Sequence, residues 1–363
     1  MRKKNKEKRK IAIIGSAGIP ANYGGFETLA EQLVSCLGDD FNFTVYCSTK
    51  NYKQKEKTYK NANLKYIPLN ANGIQSIPYD IASILHAISF HKTVLILGVS
   101  GALILPFLKV FTRRKYIVHL DGLEWKREKW GKMAKKFLHL SESLAVKWAD
   151  VLIADNIEIQ RYLEIEYGKS SWLIEYGADH VNTSPYNFEY DIEFPEKYAF
   201  GVCRIEPENN IHLILEAFSQ SASVNLVMVG NWKNSTYGQD LLKKYESNSN
   251  LYMVDPIYDT GKLNTLRKAC QFYVHGHSAG GTNPSLVEAM YLSLPIIAFD
   301  VHYNRATTED KAFYFSDVST LKQIIETSSP SFIQNGIDMR IIAENRYTWH
   351  IVSQKYKTLL ASI

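Results

Sequence analysis

The sequence predicts an α/β protein made of two Rossmann-like domains, each built on a parallel sheet. The chain has 363 residues, a length typical of about two domains. Hydrophobic residues make up 45% of it and aromatic residues 12%, which is enough for two packed cores. Short apolar runs alternate with amphipathic stretches along most of the chain, and this alternation is the pattern of parallel β-α-β units.

The individual elements follow from this alternation. The first half contains five strand-like runs, at residues 11–15, 43–47, 94–98, 116–120 and 151–154, with helices predicted at 28–37 and 132–147. Residues 176–196 are rich in turn formers and aromatic residues and predict a linker. In the second half, strands are predicted at 198–203, 225–229, 251–254, 272–275 and 295–299, and helices at 211–219, 263–270 and 285–292.

The positive charge is concentrated at the start of the chain. The net charge is +5, from 42 Lys and Arg against 37 Asp and Glu. Residues 1–10 hold seven basic side chains and one acidic one, so the remainder is close to neutral. We expect residues 1–10 to form a disordered basic tail. Nucleic acid is not an expected partner, because the body is neutral and carries no nucleic-acid motif.

Cysteine usage and hydropathy predict a cytoplasmic protein. The four cysteines show no C-x-x-C spacing, so neither a zinc site nor a disulfide scaffold is indicated. The basic start lacks the features of a signal peptide. The one long apolar run, residues 94–108, is shorter than the ~20 residues that span a bilayer. It predicts a buried strand followed by a buried helix.

A glycine-containing loop follows the first predicted strand. Gly15 and Gly18 do not have the G-x-G-x-x-G spacing of a dinucleotide fingerprint, so hydride transfer has little support. Gly24, Gly25 and Glu27 stand where a helix begins, and backbone amides there can approach an anionic or sugar ligand. The alternative is an ordinary flexible connection.

Polar residues also follow the strand predicted at 116–120. His119, Asp121 and Glu124 are placed to exchange a proton or bind sugar hydroxyls. The alternative is that His119 is a core residue whose ring nitrogens form hydrogen bonds within the fold. Residues 126–136 are basic and carry aromatic side chains, and such a helix can lie on an anionic membrane. The alternative there is a solvated helix face.

The second half carries the most informative segment, HGHSAGGTNPSLVEAM at 275–290. Its glycines and Thr-Asn-Pro-Ser start predict a helix N-terminus with exposed amides, suited to a diphosphate. Arg204, at the end of a strand, can grip phosphate oxygens. His275 and His277 share a strand face as metal ligands sometimes do, but no third ligand has suitable spacing, so we expect no metal.

At this segment the chain resembles glycosyltransferase family 4 enzymes of the GT-B fold, and within them the bacterial polysaccharide rhamnosyltransferases. The resemblance rests on the strings IGSAGIPANYGGFETLAEQL, HLDGLEWKREKWGK, YGADHV, CRIEPENNIHLILEAF, HGHSAGGTNPSLVEAM and RYTWHIVSQKY. It implies two domains facing across a cleft, an acceptor-side domain at 11–180 and a nucleotide-sugar domain at 195–345. Residues 346–363 would form a helix that crosses back to the first domain.

The resemblance also implies roles for particular residues. Arg204 and the amides after Gly281 would neutralise the diphosphate, Glu288 would bind the ribose, and the loop at 255–258 would contact the base. The donor-binding candidates are Gly24, Gly25, Asn209, Ile257, His277, Gly281, Thr282, Asn283, Ser285 and Glu288. The catalytic candidates are His119, Asp121 and Arg204, where His119 and Asp121 are alternatives for the strand-end position. The acceptor-side candidates are Tyr23, Glu27, Glu124, Lys126 and Arg127.

Two positions depart from the family pattern. The family's first glutamate of a Glu-x7-Glu pair is here Gly280, which suits a 6-deoxy sugar with a different hydroxyl pattern. The family's phosphate-binding lysine, five residues after the arginine, is here Asn209. Arg204 and the helix N-terminus must then offset more of the charge, or another cation contributes.

Together these features predict a metal-independent, retaining glycosyltransferase without a cofactor. Its donor would be a nucleotide-diphosphate sugar, foremost dTDP-rhamnose, and its acceptor a lipid-linked oligosaccharide of a bacterial surface glycan, at the inner face of the plasma membrane. Retention follows from the resemblance alone. The alternatives are transfer from a UDP- or GDP-hexose, a nucleotide-sugar epimerase of the same fold, and a non-catalytic protein that binds nucleotide sugar or glycan.

Overall fold

The structure is a computed structural model that describes residues 8–21, 24–127, 130–182, 193–221, 224–327 and 331–363. The chain forms two compact units. The first comprises the residues up to 125, 132–174 and 352–363, and the second comprises 126–131 and 175–351. Each unit contains a sheet that is mostly or wholly parallel, covered by helices, so the predicted α/β class is confirmed.

The first unit holds an eight-stranded sheet in the order β3-β4-β2-β1-β5-β6-β7-β8, in which only β3 runs antiparallel to its neighbour. Its elements are β1 (Arg9–Ile14), α1 (Gly25–Leu37), β2 (Phe41–Ser48), β3 (Thr58–Tyr59), β4 (Ala62–Ile67), α2 (Ser76–Ala87), β5 (Thr93–Leu97), α3 (Leu105–Phe111), β6 (Lys115–Leu120), α4 (Lys132–Trp148), β7 (Val151–Ala154), α5 (Ile157–Tyr167) and β8 (Trp172–Leu173).

The second unit holds a six-stranded parallel sheet in the order β11-β10-β9-β12-β13-β14. Its elements are β9 (Tyr198–Val202), α6 (Ile211–Ser219), β10 (Asn225–Val229), α7 (Thr236–Tyr245), β11 (Leu251–Val254), α8 (Thr260–Ala269), β12 (Phe272–His275), α9 (Pro284–Tyr291), β13 (Ile296–Phe299), α10 (His302–Thr308), β14 (Phe313–Phe315), α11 (Val318–Glu326) and α12 (Ser331–Arg346). The last helix, α13 (Trp349–Ser362), begins in the second unit, and its residues from 352 onward belong to the first.

The central strands are apolar because helices cover both faces of a parallel sheet. All five residues of β5 are buried, as are the last four of β1. Local signals place the helix ends around them. Asn156 caps α5, because its side chain accepts a hydrogen bond from the amide of Glu158 at 2.9 Å. Gly168 ends that helix in the left-handed conformation.

Three expectations from the sequence change. The first strand begins at Arg9, and Lys8 donates a hydrogen bond to the carbonyl of Gly38 at 3.0 Å, so residues 8–10 are not part of a disordered tail. Residues 1–7 of the expected tail lie outside the described residues. Part of the stretch expected to be a linker is packed, because Tyr176, Ala178 and Val181 are buried. Residues 183–192 of that stretch lie outside the described residues.

The apolar run at 94–108 is the third correction. Its strand is buried as expected, but the helix that follows, α3, is not: Phe107 is 66% exposed, and Val110 and Phe111, which extend the same face, are also exposed. The helix therefore packs with one side only. No helix among the described residues is long and apolar enough to cross a membrane.

Candidate functional site: the carboxyl ends of the two parallel sheets

In the first unit, the loop between β1 and α1 is held in shape by acidic side chains of the helix that follows it. A carboxylate oxygen of Glu27 accepts a hydrogen bond from the amide of Ala17 at 2.6 Å, and Glu31 accepts one from Ala21 at 2.6 Å. Burial raises the pKa of Glu27, against the lowering effect of the Ala17 amide. Glu27 thus holds the backbone of the predicted ligand-binding loop in place through its hydrogen bond with Ala17. The candidate Tyr23 lies outside the described residues.

The start of α1 requires glycine. Gly24 has a φ of 132°, and a Cβ there would lie 2.0 Å from a carboxylate oxygen of Glu27. Gly25 is the first residue of the helix, and its N-cap, Gly24, has no side chain that could bond the first amides. The amide of Glu27 bonds its own carboxylate, which leaves the amides of Gly25 and Phe26 for other acceptors.

His119 lies inside β6 and is almost fully buried, whereas Asp121 follows the end of the strand and is half-buried. The ring of Phe26, from α1, meets the His119 imidazole edge-on at a centroid distance of 5.5 Å. Burial lowers the pKa of His119 to about 3, so the imidazole is neutral near pH 7. Glu124 begins a single 3-10 turn, Glu124–Lys126, after Asp121.

A tyrosine from the last helix selects the tautomer of His119. The hydroxyl of Tyr356 lies 2.7 Å from His119 Nδ1, and this is the hydroxyl's only hydrogen bond among the described residues. The hydroxyl proton is satisfied only if Tyr356 donates to Nδ1, which leaves the ring proton on Nε2. His119 Nε2 is buried and has no partner among the described residues. The ring can therefore offer a hydrogen bond from Nε2.

In the second unit, Arg204 follows β9 and is exposed, with its main chain held in place. The carbonyl of Arg204 accepts a hydrogen bond from Asn209 Nδ2 at 2.7 Å, and the next amide, of Ile205, donates to Asn231 Oδ1 at 2.7 Å. Asn209 is itself almost fully buried. Where the resemblance led us to expect a phosphate-binding lysine, this chain therefore has an amide that supports the main chain of the arginine.

The loop after β12 leads to a helix N-terminus. Gly280 has a φ of 131°, which favours glycine, and Pro284 is the first residue of α9. Asn283 occupies the N-cap position without making a side-chain cap hydrogen bond. Gly281 and Thr282 are buried, whereas Ser285 is half-buried. Pro284 has no N–H and the amide of Leu286 donates to the carbonyl of Asn283 at 3.1 Å, so within the first turn the amide of Ser285 is left to an anionic ligand.

Strand pairing brings these two loops together. β9 pairs directly with β12, so Arg204 and the loop that begins at Gly276 leave the same edge of the sheet from neighbouring strands. The amide and hydroxyl of Ser278 both donate to the carbonyl of Glu208, at 2.9 and 2.8 Å. Asn210 Nδ2 donates to the carbonyl of Gly276 at 2.9 Å. The second unit therefore brings a cation and a helix N-terminus together at the carboxyl end of its sheet.

Glu288 takes part in a buried network that the sequence did not predict. Its two carboxylate oxygens lie 2.8 Å from Arg267 Nη2 and 3.3 Å from His180 Nε2. Burial by itself would raise the pKa of Glu288, but the charge of Arg267 and the contact with His180 lower it, so the carboxylate is ionised. Each oxygen keeps a second lone pair, which leaves room for a ribose hydroxyl.

Trp349 orients His180 within this network. Its indole N–H donates to His180 Nδ1 at 2.9 Å, and its backbone amide donates to Asp179 at 2.6 Å. Because Nδ1 accepts, Nε2 carries the proton and donates to Glu288. Asp179 and His180 belong to the stretch interpreted as a linker, and nothing in their local sequence indicates a polar network.

His275 and His277 lie side by side with their rings stacked, at a centroid distance of 4.2 Å and an angle of 7°. Both ring nitrogens of His275 are buried without partners among the described residues. Burial lowers the pKa of His275 to about 3. It also lowers that of His277, with His275, Arg127 and Arg204 adding to the effect. No group of three or more metal-ligating side chains is assembled in the described part of the chain.

Two further residues come close to Arg204. Glu208 is almost fully buried, and neither carboxylate oxygen has a hydrogen-bond partner among the described residues. Its pKa is raised by burial and by Glu206, while the charge of Arg127 opposes the rise. Arg127 lies with residues 126–131 in the second unit, and its expected acceptor-side role stays a prediction. Its charge and that of Arg204 both lower the pKa of His277, so it is a second cation in the neighbourhood of Arg204.

Two candidates remain. Ile257 is half-buried in the segment between β11 and α8, beside the exposed Tyr258. Lys126 ends the turn that Glu124 begins. The base and acceptor contacts expected of them stay predictions.

Comparison with known proteins agrees with this architecture. Residues 186–327 match the family described as Glycosyl transferases group 1, and residues 8–179 match a domain of unknown function, DUF1972. No curated protein sequence matches the chain.

Solved structures share the fold at low sequence identity. Sucrose-phosphate synthase from Thermosynechococcus elongatus is 17% identical, with a TM-score of 0.77 over 98% of this chain and 100% of that one. HepE from Anabaena, in complex with UDP, is 15% identical, with a TM-score of 0.72 over 98% and 100%. Trehalose 6-phosphate synthase from Burkholderia multivorans is 11% identical, with a TM-score of 0.70 over 98% and 96%. The chain thus has the two-sheet α/β fold of GT-B glycosyltransferases.

The burial of His275 makes the protein acid-sensitive. Above about pH 6.5, neither the folded nor the unfolded state holds a proton on this ring. Below that pH the unfolded state binds a proton that the folded state, with a pKa of about 3, does not. Stability should therefore fall by about 1.4 kcal/mol per pH unit as the pH drops from about 6 to 4.

The variant His275→Phe tests this. Urea unfolding at pH 7, 6, 5 and 4 should give a pH slope that is shallower by about 1.4 kcal/mol per pH unit than that of the wild type. Little stability should be lost at pH 7, because His275 makes no hydrogen bond among the described residues. Identical slopes in the two proteins would contradict the assignment.

Proposed function

We propose that the protein is a retaining glycosyltransferase that moves a sugar from a nucleoside diphosphate to a lipid-linked glycan. The observation that carries this proposal is the joined pair of loops at the edge of the second sheet. There Arg204 and the open N-terminus of α9 leave adjacent strands, β9 and β12, and hydrogen bonds from Ser278 and Asn210 hold the loops together. The match of residues 186–327 to Glycosyl transferases group 1 supports it.

The chemistry of such a transfer explains why these groups are needed. The bond between the anomeric carbon and the diphosphate breaks, and its electron pair leaves with the diphosphate oxygen. An acceptor hydroxyl forms the new bond to the same carbon and loses its proton. Donors aimed at the developing phosphate charge accelerate this step. Arg204 and the amides of α9 take that role in the proposal, and Arg127 is the further cation that compensates for Asn209.

His119 contributes a neutral hydrogen-bond donor in the first unit. With its pKa at about 3, the ring cannot act as a cationic acid near neutral pH. Its buried Nε2–H instead binds an oxygen of the sugar or of the acceptor. Tyr356 keeps the proton on Nε2, which makes Tyr356 a positioning residue. Asp121, beyond the strand end, is the alternative catalytic residue.

The proposed donor is dTDP-rhamnose. Gly280 stands where the resemblance places a glutamate that holds donor-sugar hydroxyls, and its φ of 131° disfavours any residue other than glycine there. The missing carboxylate suits a 6-deoxy sugar with a different hydroxyl pattern. A UDP-hexose is the second candidate, favoured by HepE, which was solved in complex with UDP and with UDP-glucose. The lipid-linked acceptor and the site of action at the inner membrane face rest on the resemblance to polysaccharide rhamnosyltransferases.

Removing the arginine tests the diphosphate site. With saturating donor, Arg204→Ala should lower kcat by ~10²-fold or more, because a main donor to the leaving group is lost. Arg161→Ala is the matched control, since Arg161 is an exposed arginine of α5 paired with Glu158 at the surface. A near-normal kcat in Arg204→Ala would refute the role.

Removing one hydroxyl tests the positioning of His119. Tyr356→Phe should lower kcat by about tenfold, because the imidazole loses the bond that selects its tautomer. The KM for the donor and the melting temperature should change little, and the 15N shift of His119 Nδ1 should move. Tyr46→Phe is a close control, because the Tyr46 hydroxyl lies 2.8 Å from Nδ1 of another histidine, His86. Equal kcat values for both variants would show that Tyr356 has no positioning role.

The donor and the outcome at the anomeric carbon can be tested together. A thermal-shift screen of dTDP-, UDP- and GDP-sugars should show the largest stabilisation with dTDP-rhamnose. Purified protein with that donor and a lipid extract should then give a product with the donor's anomeric configuration by NMR. An inverted linkage would contradict retention. Epimerised donor without acceptor, or binding without any transfer, would favour the epimerase or the non-catalytic protein.

A further inference from the structure

The exposed side of α3 extends onto the neighbouring helix. α3 packs beside α4, and α4 also presents large apolar side chains to solvent: Met133 is 86% exposed and Leu140 52%. Met133 and Leu140 are seven residues apart, so they lie on the same side of the helix. We call the apolar residues of this surface the α3–α4 face: Phe107, Val110, Phe111, Met133 and Leu140.

Basic side chains surround this face, and acidic ones are missing from the segments that form it. Residues 105–115 and 131–141 contain seven Lys and Arg and no Asp or Glu. Lys109 and Lys115 pair with Asp150 at the start of β7. The other five basic residues make no ion pair with the described residues: Arg113, Arg114, Lys132, Lys135 and Lys136.

Carboxylates lie at the margins of the face. Glu142 of α4 is buried on the inner side of its helix, where it accepts hydrogen bonds from Tyr162 and Tyr167 at 2.7 and 2.9 Å. The next helix, α5, carries the exposed Glu164 and Glu166 and marks the limit of the positive surface. The result is a bounded apolar surface with a cationic border.

We infer that the α3–α4 face is a docking surface for an anionic lipid bilayer. Phenylalanine, methionine and leucine side chains can enter the boundary between headgroups and acyl chains, while the flanking Lys and Arg remain at the level of the phosphates. A border with an excess of cations complements lipid phosphates. The inference rests on the proposed function in one respect, because a lipid-linked acceptor places the enzyme's substrate in such a bilayer.

Another helix provides the contrast. Ile333, Ile337 and Ile341 form an exposed apolar stripe on α12, in the second unit. That helix carries acidic and basic residues together, among them Asp338, which stands between Ile337 and Ile341. The stripe lacks the cationic border and is a control for apolar exposure alone.

Vesicle binding of the full chain, without donor or acceptor, tests the inference. The wild type should co-float with vesicles of phosphatidylglycerol and phosphatidylcholine at 3:7 and not with phosphatidylcholine alone, and 1 M salt should weaken binding. The double variant Phe107→Ser/Phe111→Ser should lose tenfold or more in partition coefficient. Its control, Ile333→Ser/Ile337→Ser, should bind like the wild type.

Lys→Gln variants distinguish the basic border of the α3–α4 face from basic residues elsewhere in the chain. Lys132→Gln/Lys135→Gln/Lys136→Gln should also lose at least tenfold. Its control, Lys53→Gln/Lys55→Gln/Lys57→Gln, removes three exposed lysines elsewhere in the first unit and should have little effect. Deletion of residues 2–7, which stops short of β1, measures the tail alone.

Several outcomes would overturn the inference: unchanged partition in the double serine variant, equal binding to both vesicle types, or complete loss of binding on deletion of the tail alone. Self-association of the wild type that the serine variant abolishes, without any change in vesicle binding, would make the face a contact between copies. Vesicle binding by a protein that binds no nucleotide sugar would uphold the docking surface and count against the proposed function.

Discussion

The candidate site of the second unit depends on the hydrogen bonds that join the loops after β9 and β12. A parallel pair of strands delivers two loops to one edge, but it does not fix their distance from each other. The carbonyl of Glu208, which accepts both hydrogen bonds from Ser278, sets that distance. Asn209 then supports the carbonyl of Arg204 from within the same turn. An exposed arginine is in this way tied to the loop that leads to α9, and the proposed anion site depends on both loops being held.

The buried pair of Arg267 and Glu288 is the second constraint, and breaking it would destabilise the protein. Removing one partner of such a pair typically costs about 3–5 kcal/mol, because the remaining charge stays buried without compensation. Here the pair also positions other parts of the unit. His180 reaches the same carboxylate from the segment before β9, and Trp349, at the start of α13, donates a hydrogen bond to His180. Glu288 therefore organises its surroundings before any ribose is considered, and a ligand would share its remaining lone pairs.

The two histidine environments show how burial decides chemistry. His119 and His275 are both buried, and burial lowers both pKa values to about 3. His119 has one nitrogen engaged by Tyr356 and the other unpartnered near the end of a strand. His275 has no partner for either nitrogen among the described residues and packs against His277. The His119 arrangement leaves Nε2–H as a hydrogen-bond donor with a fixed direction. The His275 arrangement only lowers stability in acid, where the unfolded chain binds a proton that the buried ring does not.

The sequence by itself determined the two-sheet α/β class and the positions of all ten predicted strands, because hydrophobic period and turn residues are local properties. It also located Arg204 and the N-terminus of α9. It missed the polar-faced β4, whose alternating exposure weakens the apolar signal. Only the tertiary structure decided which residues meet: Tyr356 with His119, and His180 with Glu288, are separated by more than one hundred positions. The same holds for α3: its apolar sequence predicts burial, and only the packing of its neighbours leaves one side in solvent.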